Sequence, residues 1–174
     1  ELHTNGVAAL VHIGHYNPIL DGCRNPNPLV RRGCLSALGR LGDSLVIEQV
    51  GRCVDDPDTT VRVHAHEALG RIGHNAALPF LARGLDDQET HVRHTALQQI
   101  GQFEGDRAIP LVIQSANDRS PTVRRLSVEL LARFPDARVV PILVDRMEDD
   151  DPEVCEAAKR SLAHLESLVD GGAA

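Results

Sequence analysis

Aromatic side chains are nearly absent from this 174-residue chain: Tyr16, Phe80, Phe103 and Phe134 make up 2% of it, and there is no Trp. A core without large rings has to be built from Leu, Val, Ile and Ala, which suits small, close-packed helices better than a sheet sandwich. Lysine is scarcer still, with Lys159 the single one among 18 basic residues. No run approaches the roughly 18 consecutive apolar residues of a membrane-spanning helix. The opening ELHTNGVAALVHIG lacks the basic stretch and long apolar run of a secretory signal, and without an initiator Met it reads as a trimmed chain or a fragment. Cys23, Cys34, Cys53 and Cys155 form no CxxC pair. They give no disulfide framework, so a cytoplasmic location is expected, with two or three thiols packed as small hydrophobes. The net charge of −7 favours solubility and argues against non-specific nucleic-acid binding.

What the chain does contain is a repeat. LVRRGCLSALGRLG from Leu29, TVRVHAHEALGRIG from Thr60, HVRHTALQQIGQFE from His91, TVRRLSVELLARFP from Thr122 and EVCEAAKRSLAHLE from Glu153 superpose at one spacing. Val30, Val61, Val92, Val123 and Val154 recur at a constant period of 31, as do Arg31, Arg62, Arg93 and Arg124, with Cys155 ending the arginine series. A polar turn precedes each: RNPN, DDPD, DDQE, NDRS and DDDP. Five registers without a gap are not a chance pattern.

Counting from each Val as step 0, apolar or small residues recur at steps 4, 7, 8 and 11, one face of a helix. Step 4 is always small (Cys34, Ala65, Ala96, Ser127, Ala158), which predicts close approach of a neighbouring helix. Gly39, Gly70 and Gly101, at step 9, are expected where the helix ends. Pro79, Pro110 and Pro141, spaced at the same period, mark the first turn of a preceding helix. The turn between the two helices is rich in Asp, Asn and Pro, with Asp58 or Thr59 placed to cap the second helix. Each unit is therefore a helix pair that cannot bury its apolar face alone, and stacking supplies the core. A degenerate helix from about Ala8 is expected to precede the first full unit.

The pattern DDxxxxVRxxAxxALGxIG at a period of 31 resembles the short HEAT-like repeats named after the phycobilisome lyases, over residues 8–168. The resemblance implies an all-α fold, a right-handed α-solenoid of about five two-helix repeats. The expected organisation is a single repeat domain over residues 1–170, with a disordered tail at 171–174. Members of this class are mostly scaffolds and adaptors, with some bilin lyases and a di-iron deoxyhypusine hydroxylase. Fold likeness alone does not choose among these activities.

The cluster HAHE (His64 to Glu67) asks whether a metal site is present. On a helix His64 and His66 point ~200° apart and cannot share one ion. A zincin needs a second His four places after the first, and Gly70 stands there instead. The hydroxylase pattern requires His-Glu directly after the Val-Arg, and no unit has it: Val63-His64, His94-Thr95, Arg32-Gly33 and Arg125-Leu126 follow instead. His64 is then expected near a helix interface, with His66 and Glu67 on the surface. His91 and His94 read as exposed histidines on a solvated helix. No catalytic residue, metal or cofactor is assigned, and the expected function is non-enzymatic.

Charge is segregated. The second helices between Val30 and Phe134 carry Arg31, Arg32, Arg40, Arg62, Arg71, Arg93, Arg124, Arg125 and Arg133 against only Glu67 and Glu129, while the acids gather in the turns. At step 1, Arg31, Arg62, Arg93 and Arg124 are expected to bond turn aspartates such as Asp56, Asp87 and Asp118 as a structural ladder. Steps 2, 6 and 10 should face outward: Arg32, Val63, His94 and Arg125; Ser36, Glu67, Gln98 and Glu129; Arg40, Arg71, Gln102 and Arg133. In solenoids of the resembled class the second helices line the concave face. The expected contact surface is accordingly Arg32, Arg40, Glu67, Arg71, His94, Gln98, Arg125, Glu129 and Arg133. A protein partner with an acidic or mixed surface suits arginine forks on a long face. Nucleic acid is disfavoured because no aromatic in these rows can stack on a base. A bilin held through its propionates, as in a lyase-type subunit or chaperone, is the alternative, and a metal-dependent enzyme ranks behind it.

Overall fold

A computed structural model describes residues 16–103 and 105–171, and among these it contains ten α-helices and no strand. The chain falls into two compact units, residues 1–102 and 103–174. Unit 1 holds three helix pairs: α1 (16–22) with α2 (Pro28–Leu41), α3 (Ile47–Gly51) with α4 (Thr59–Ile72), and α5 (Leu78–Gly84) with α6 (Thr90–Ile100). Unit 2 holds two: α7 (Ile109–Ser115) with α8 (Pro121–Leu131), and α9 (Val139–Arg146) with α10 (Pro152–Gly171). The helix expected from about Ala8 and the 172–174 end of the tail lie outside the described residues.

Local chemistry starts and stops these helices. Asn27 caps α2 by accepting from Leu29 N at 2.9 Å, and Pro28 supplies the preset first turn. Asp58 caps α4 through Thr60 N and Val61 N. Pro79 and Pro110 stand at the second position of α5 and α7. Short 3-10 turns lead into the first helices, where Asp43 and His74, equivalent positions in successive units, accept from Leu45 N and Ala76 N.

Two of the three step-9 glycines do something other than end the helix. Gly39 and Gly70 lie inside α2 and α4, which stop short of Gly42 and Gly73, both left-handed at φ 69° and 66°. A Cβ on Gly39 would sit 2.8 Å from Ala68 Cα, so the missing side chain lets α4 approach the backbone of α2. Gly70 makes the same kind of room for the Gln99 side chain of α6. Gly101 does stand where α6 ends, at its C-cap; for Gly39 and Gly70 the expectation of a terminus is corrected, because they are packing positions and the next glycine is the cap.

The core follows the helical register. Val61, Val92, Val123 and Val154 at step 0, and Leu38, Leu69, Ile100 and Leu131 at step 8, have no solvent exposure. Each contributes ~1.5–3 kcal/mol on burial. The step-4 residues Ala65, Ala96, Ser127 and Ala158 are equally buried, and Ser127 Oγ satisfies itself by donating to Val112 O at 2.6 Å. Val30, which opens the series, is 40% exposed.

Candidate functional site

The step-1 arginines are consumed within the fold. Arg31 places Nε and one terminal nitrogen on the two carboxylate oxygens of Asp56, at 2.8 and 2.7 Å. Arg62 grips Asp87 in the same bidentate way, at 2.7 and 3.1 Å, and Arg124 grips Asp149 at 2.9 and 2.7 Å. In every case the aspartate lies 25 residues beyond its arginine. The remaining terminal nitrogen turns back to a carbonyl six residues earlier: Asn25 O, Asp56 O, Asp87 O and Asp118 O for Arg31, Arg62, Arg93 and Arg124. Arg93 is buried and also donates to Gln88 O and Thr90 Oγ1.

The aspartates are turn residues in their own right. Asp56, Asp87, Asp118 and Asp149 each accept the backbone N–H two residues on, closing the turn that launches the second helix. One carboxylate therefore fixes a turn and, for Asp56, Asp87 and Asp149, receives an arginine fork. Burial pushes Asp87 up, but the Arg62 fork and the Glu89 N–H more than offset it, and the carboxyl sits below its ordinary range. At Asp149 burial again acts upward and the Arg124 fork downward, with a result of about 2. Asp149 is the rung residue that sequence reasoning left unnamed, although it stands one period after Asp118, in the DDDP turn. Where the arginine series ends, Cys155 Sγ donates to Asp149 O at 3.0 Å, again six residues back.

The outward rows behave differently. In unit 1, Arg40, Arg71 and Gln98 are exposed, and Arg32, Glu67 and His94 are half-buried. Val63 is the exception: it is buried, so the step-2 row is not outward at every unit. β-Branched and uncharged, it joins the core where its counterparts carry Arg or His. Arg71 meets Glu67 one turn earlier at 3.4 Å, and Arg32 Nε is buried without a hydrogen-bond partner. In unit 2, Glu129 and Arg133 are exposed and Arg125 is half-buried. Arg125 faces Glu129 at 3.5 Å and Glu153 at 3.7 Å, and it borders a cleft of about 390 Å³ lined also by Pro152, Glu153, Glu156 and Arg160. Two guanidinium groups and two carboxylates thus face one shallow polar recess. Exposed pairs of this kind contribute only ~0.2–1 kcal/mol, so they exchange cheaply for contacts with another molecule.

The HAHE cluster resolves into unlike residues. His64 is half-buried with Nδ1 2.7 Å from Thr60 O, and Glu67 pairs with Arg71. His66, expected on the surface, is fully buried with neither ring nitrogen hydrogen-bonded. Its ring fills the space left by Gly84, where a Cβ would come within 2.5 Å of Nε2. Its one-face neighbours at steps 4 and 8 are core residues, and step 5 turns inward with them. Among the described residues no three or more His, Cys, Asp or Glu side chains are arranged to hold a metal ion, and no helix is long and apolar enough to cross a membrane.

Comparison with known proteins places this geometry. The chain matches the profile of the family described as HEAT repeats over residues 16–94 and 84–163. No curated protein matches it by sequence. Among solved structures it is similar to the complex of CpcE and CpcF of phycocyanin lyase from Nostoc sp. PCC7120, with a TM-score of 0.68, 19% identity, and coverage of 86% of this chain and 64% of that one. It is similar to the S. pombe condensin Cnd3-Cnd2 subcomplex, with a TM-score of 0.72 and 25% identity over 86% of this chain and 22% of that one. A designed armadillo repeat protein in complex with peptide (KR)4 matches at a TM-score of 0.63 and 16% identity, over 90% of this chain and 84% of that one. These likenesses identify the fold as an all-α solenoid.

Proposed function

Because the chain belongs to the HEAT-repeat family, we propose that it is a non-catalytic interaction module whose second helices hold a protein partner of acidic or mixed surface charge. The observation that carries this reading is the division of labour among the arginines. At step 1, Arg31, Arg62 and Arg124 are locked into aspartate forks, whereas Arg32, Arg40 and Arg71 in unit 1 and Arg125 and Arg133 in unit 2 stay at least partly exposed. Arginine forks bind carboxylates bidentately, and the interspersed Glu67, Gln98 and Glu129 suit a partner of mixed rather than purely acidic character. Similar structures captured with a peptide or within a two-protein complex support a protein partner over a nucleic acid.

Reversing Arg32, Arg40 and Arg71 to Glu tests this. Affinity capture should lose a specifically bound protein while the melting temperature stays within a few degrees of wild type. A folded triple variant that retains every protein the wild type retains would refute the assignment of these rows. The likeness to the phycocyanin lyase complex supports a second reading, a bilin-handling subunit. That reading requires the visible absorbance of an added linear tetrapyrrole to co-elute with the protein on gel filtration, and to be lost from the protein peak in the same variant.

A further inference from the structure

Steps 2 and 6 of the two second helices in unit 2 carry four charges in an inverted pattern. In α8 the base comes first, Arg125 then Glu129; in α10 the acid does, Glu156 then Arg160. No earlier repeat is charged at both steps: Arg32 goes with Ser36, Val63 with Glu67 and His94 with Gln98. Because α8 packs against α10, each of these steps sets an arginine on one helix opposite a glutamate on the other. The pattern calls for Arg125–Glu156 and Glu129–Arg160 bridges, and the structure forms neither. Arg125 faces Glu129 and Glu153 at 3.5 and 3.7 Å without a hydrogen bond, and Glu156 accepts instead from Lys159 of its own helix at 2.8 Å. Among the described residues Arg160 has neither a hydrogen bond nor an ion pair, and it is exposed. What lies between the complementary charges is the cleft of about 390 Å³.

We propose that this cleft recognises a protein segment presenting an acidic and a basic side chain on one face, the acid taken by Arg125 and Arg160 and the base by Glu153 and Glu156. The proposal rests on the reading of the second helices as a protein-contact surface, and it names the chemistry of that contact in unit 2. The donors of Arg125 and Arg160 are not consumed as those of Arg31, Arg62 and Arg124 are, so both guanidinium groups can fork onto an incoming carboxylate. Two arginines and two glutamates line the cleft, with Pro152, and their formal charges cancel. A partner of one sign would therefore meet as much repulsion as attraction, whereas one carrying both signs satisfies all four groups. The cleft is shallow and its walls are charged, which suits side chains of a protein segment rather than an enclosed apolar ligand.

The test measures fluorescence anisotropy of fluorescein-labelled octapeptides with the full chain at low ionic strength. Residues two apart in an extended peptide share a face, so EERREERR presents acid and base alternately on it. This peptide should bind, and an all-Glu or all-Arg octapeptide should bind about tenfold more weakly or worse. Exchanging Glu156→Arg together with Arg160→Glu keeps the net charge and inverts the pattern. It should weaken EERREERR about tenfold or more while leaving the melting temperature within a few degrees, since both side chains are exposed. No binding of EERREERR to the wild type, equal binding of a single-sign peptide, or an affinity that the exchange leaves unchanged would each overturn the proposal. The broader contact-surface reading is judged separately by reversing Arg32, Arg40 and Arg71, which lie in unit 1 and line no part of this cleft.

Discussion

Replacing His66 with Leu should make the protein more stable and less sensitive to acid. The imidazole is fully buried in α4 with both nitrogens unpartnered, against the glycine backbone at Gly84. The register equivalents of His66 before the last unit, where Lys159 is exposed, are Leu35, Leu97 and Val128, all without exposure, so an apolar side chain of this size fits the step-5 environment inside the stack. Removing the unsatisfied donor and acceptor should recover about 1–3 kcal/mol at neutral pH. Burial lowers the imidazole to about 4, with the Asp87 charge opposing and the Arg62 charge assisting. The unfolded chain takes up the proton near pH 6.5, whereas the folded one resists it until near pH 4. Stability is therefore full above pH 6.5 and lost as the pH falls toward 4. From pH 7.5 to pH 5 the wild type should lose about 2 kcal/mol through this one group. Urea unfolding followed by far-ultraviolet circular dichroism at both pH values measures it. The reasoning fails if His66→Leu is less stable at pH 7.5, or if its loss between the two pH values equals that of the wild type.

Two glycines of α2 should respond in opposite directions. Gly39→Ala forces a Cβ to 2.8 Å from Ala68 Cα and should cost about 1–3 kcal/mol, whereas Gly33→Ala meets nothing within 4 Å and should gain ~0.5–1 kcal/mol, both read from urea midpoints. Asp149, held at about 2, contributes stability that is present above the ordinary carboxylate value near 4 and is lost as the pH falls through 2. Asp149→Asn should be less stable at neutral pH and show a shallower decline across that acid window in a thermal-melt series. Arg124→Ala, which leaves Asp149 only the longer 3.3 Å ion pair with Arg146, should cost about 1.5–3 kcal/mol, while Arg125→Ala, whose ion pairs are exposed, should cost within about 1 kcal/mol. Equal losses from the two would remove the distinction between rung and row.

The repeat was legible because a constant period ties each residue to its equivalents in the other units, so Val61 buried predicts Val92 and Val123 buried. The arginine forks were legible for the same reason, since opposite charges at a fixed offset recur with the register. Departures from the period were harder to read. His66 looks like part of a polar cluster in one dimension, and only Gly84, opposite it on another helix, reveals the space into which its ring fits. The pairing of a large side chain with a distant glycine leaves no local pattern. Val63 was misplaced because a helical wheel assigns direction but not the extent of the covering neighbour.

The doublets Arg31-Arg32 and Arg124-Arg125 state the logic of the fold most compactly. Adjacent residues on a helix point ~100° apart, so identical side chains at steps 1 and 2 enter different environments. The first of each pair turns toward the inter-repeat turn, where a buried carboxylate and a backbone carbonyl take up its donors. At the second, Arg32 is half-buried outside any such fork and Arg125 meets only the exposed acids of its own layer. Stability is thereby assigned to steps 0, 1, 4 and 8, which barely vary between units. Steps 2, 6 and 10 are released to change from Arg to His to Gln without disturbing the stack. A repeat that separates the two tasks by one residue can alter what it recognises while conserving how it folds.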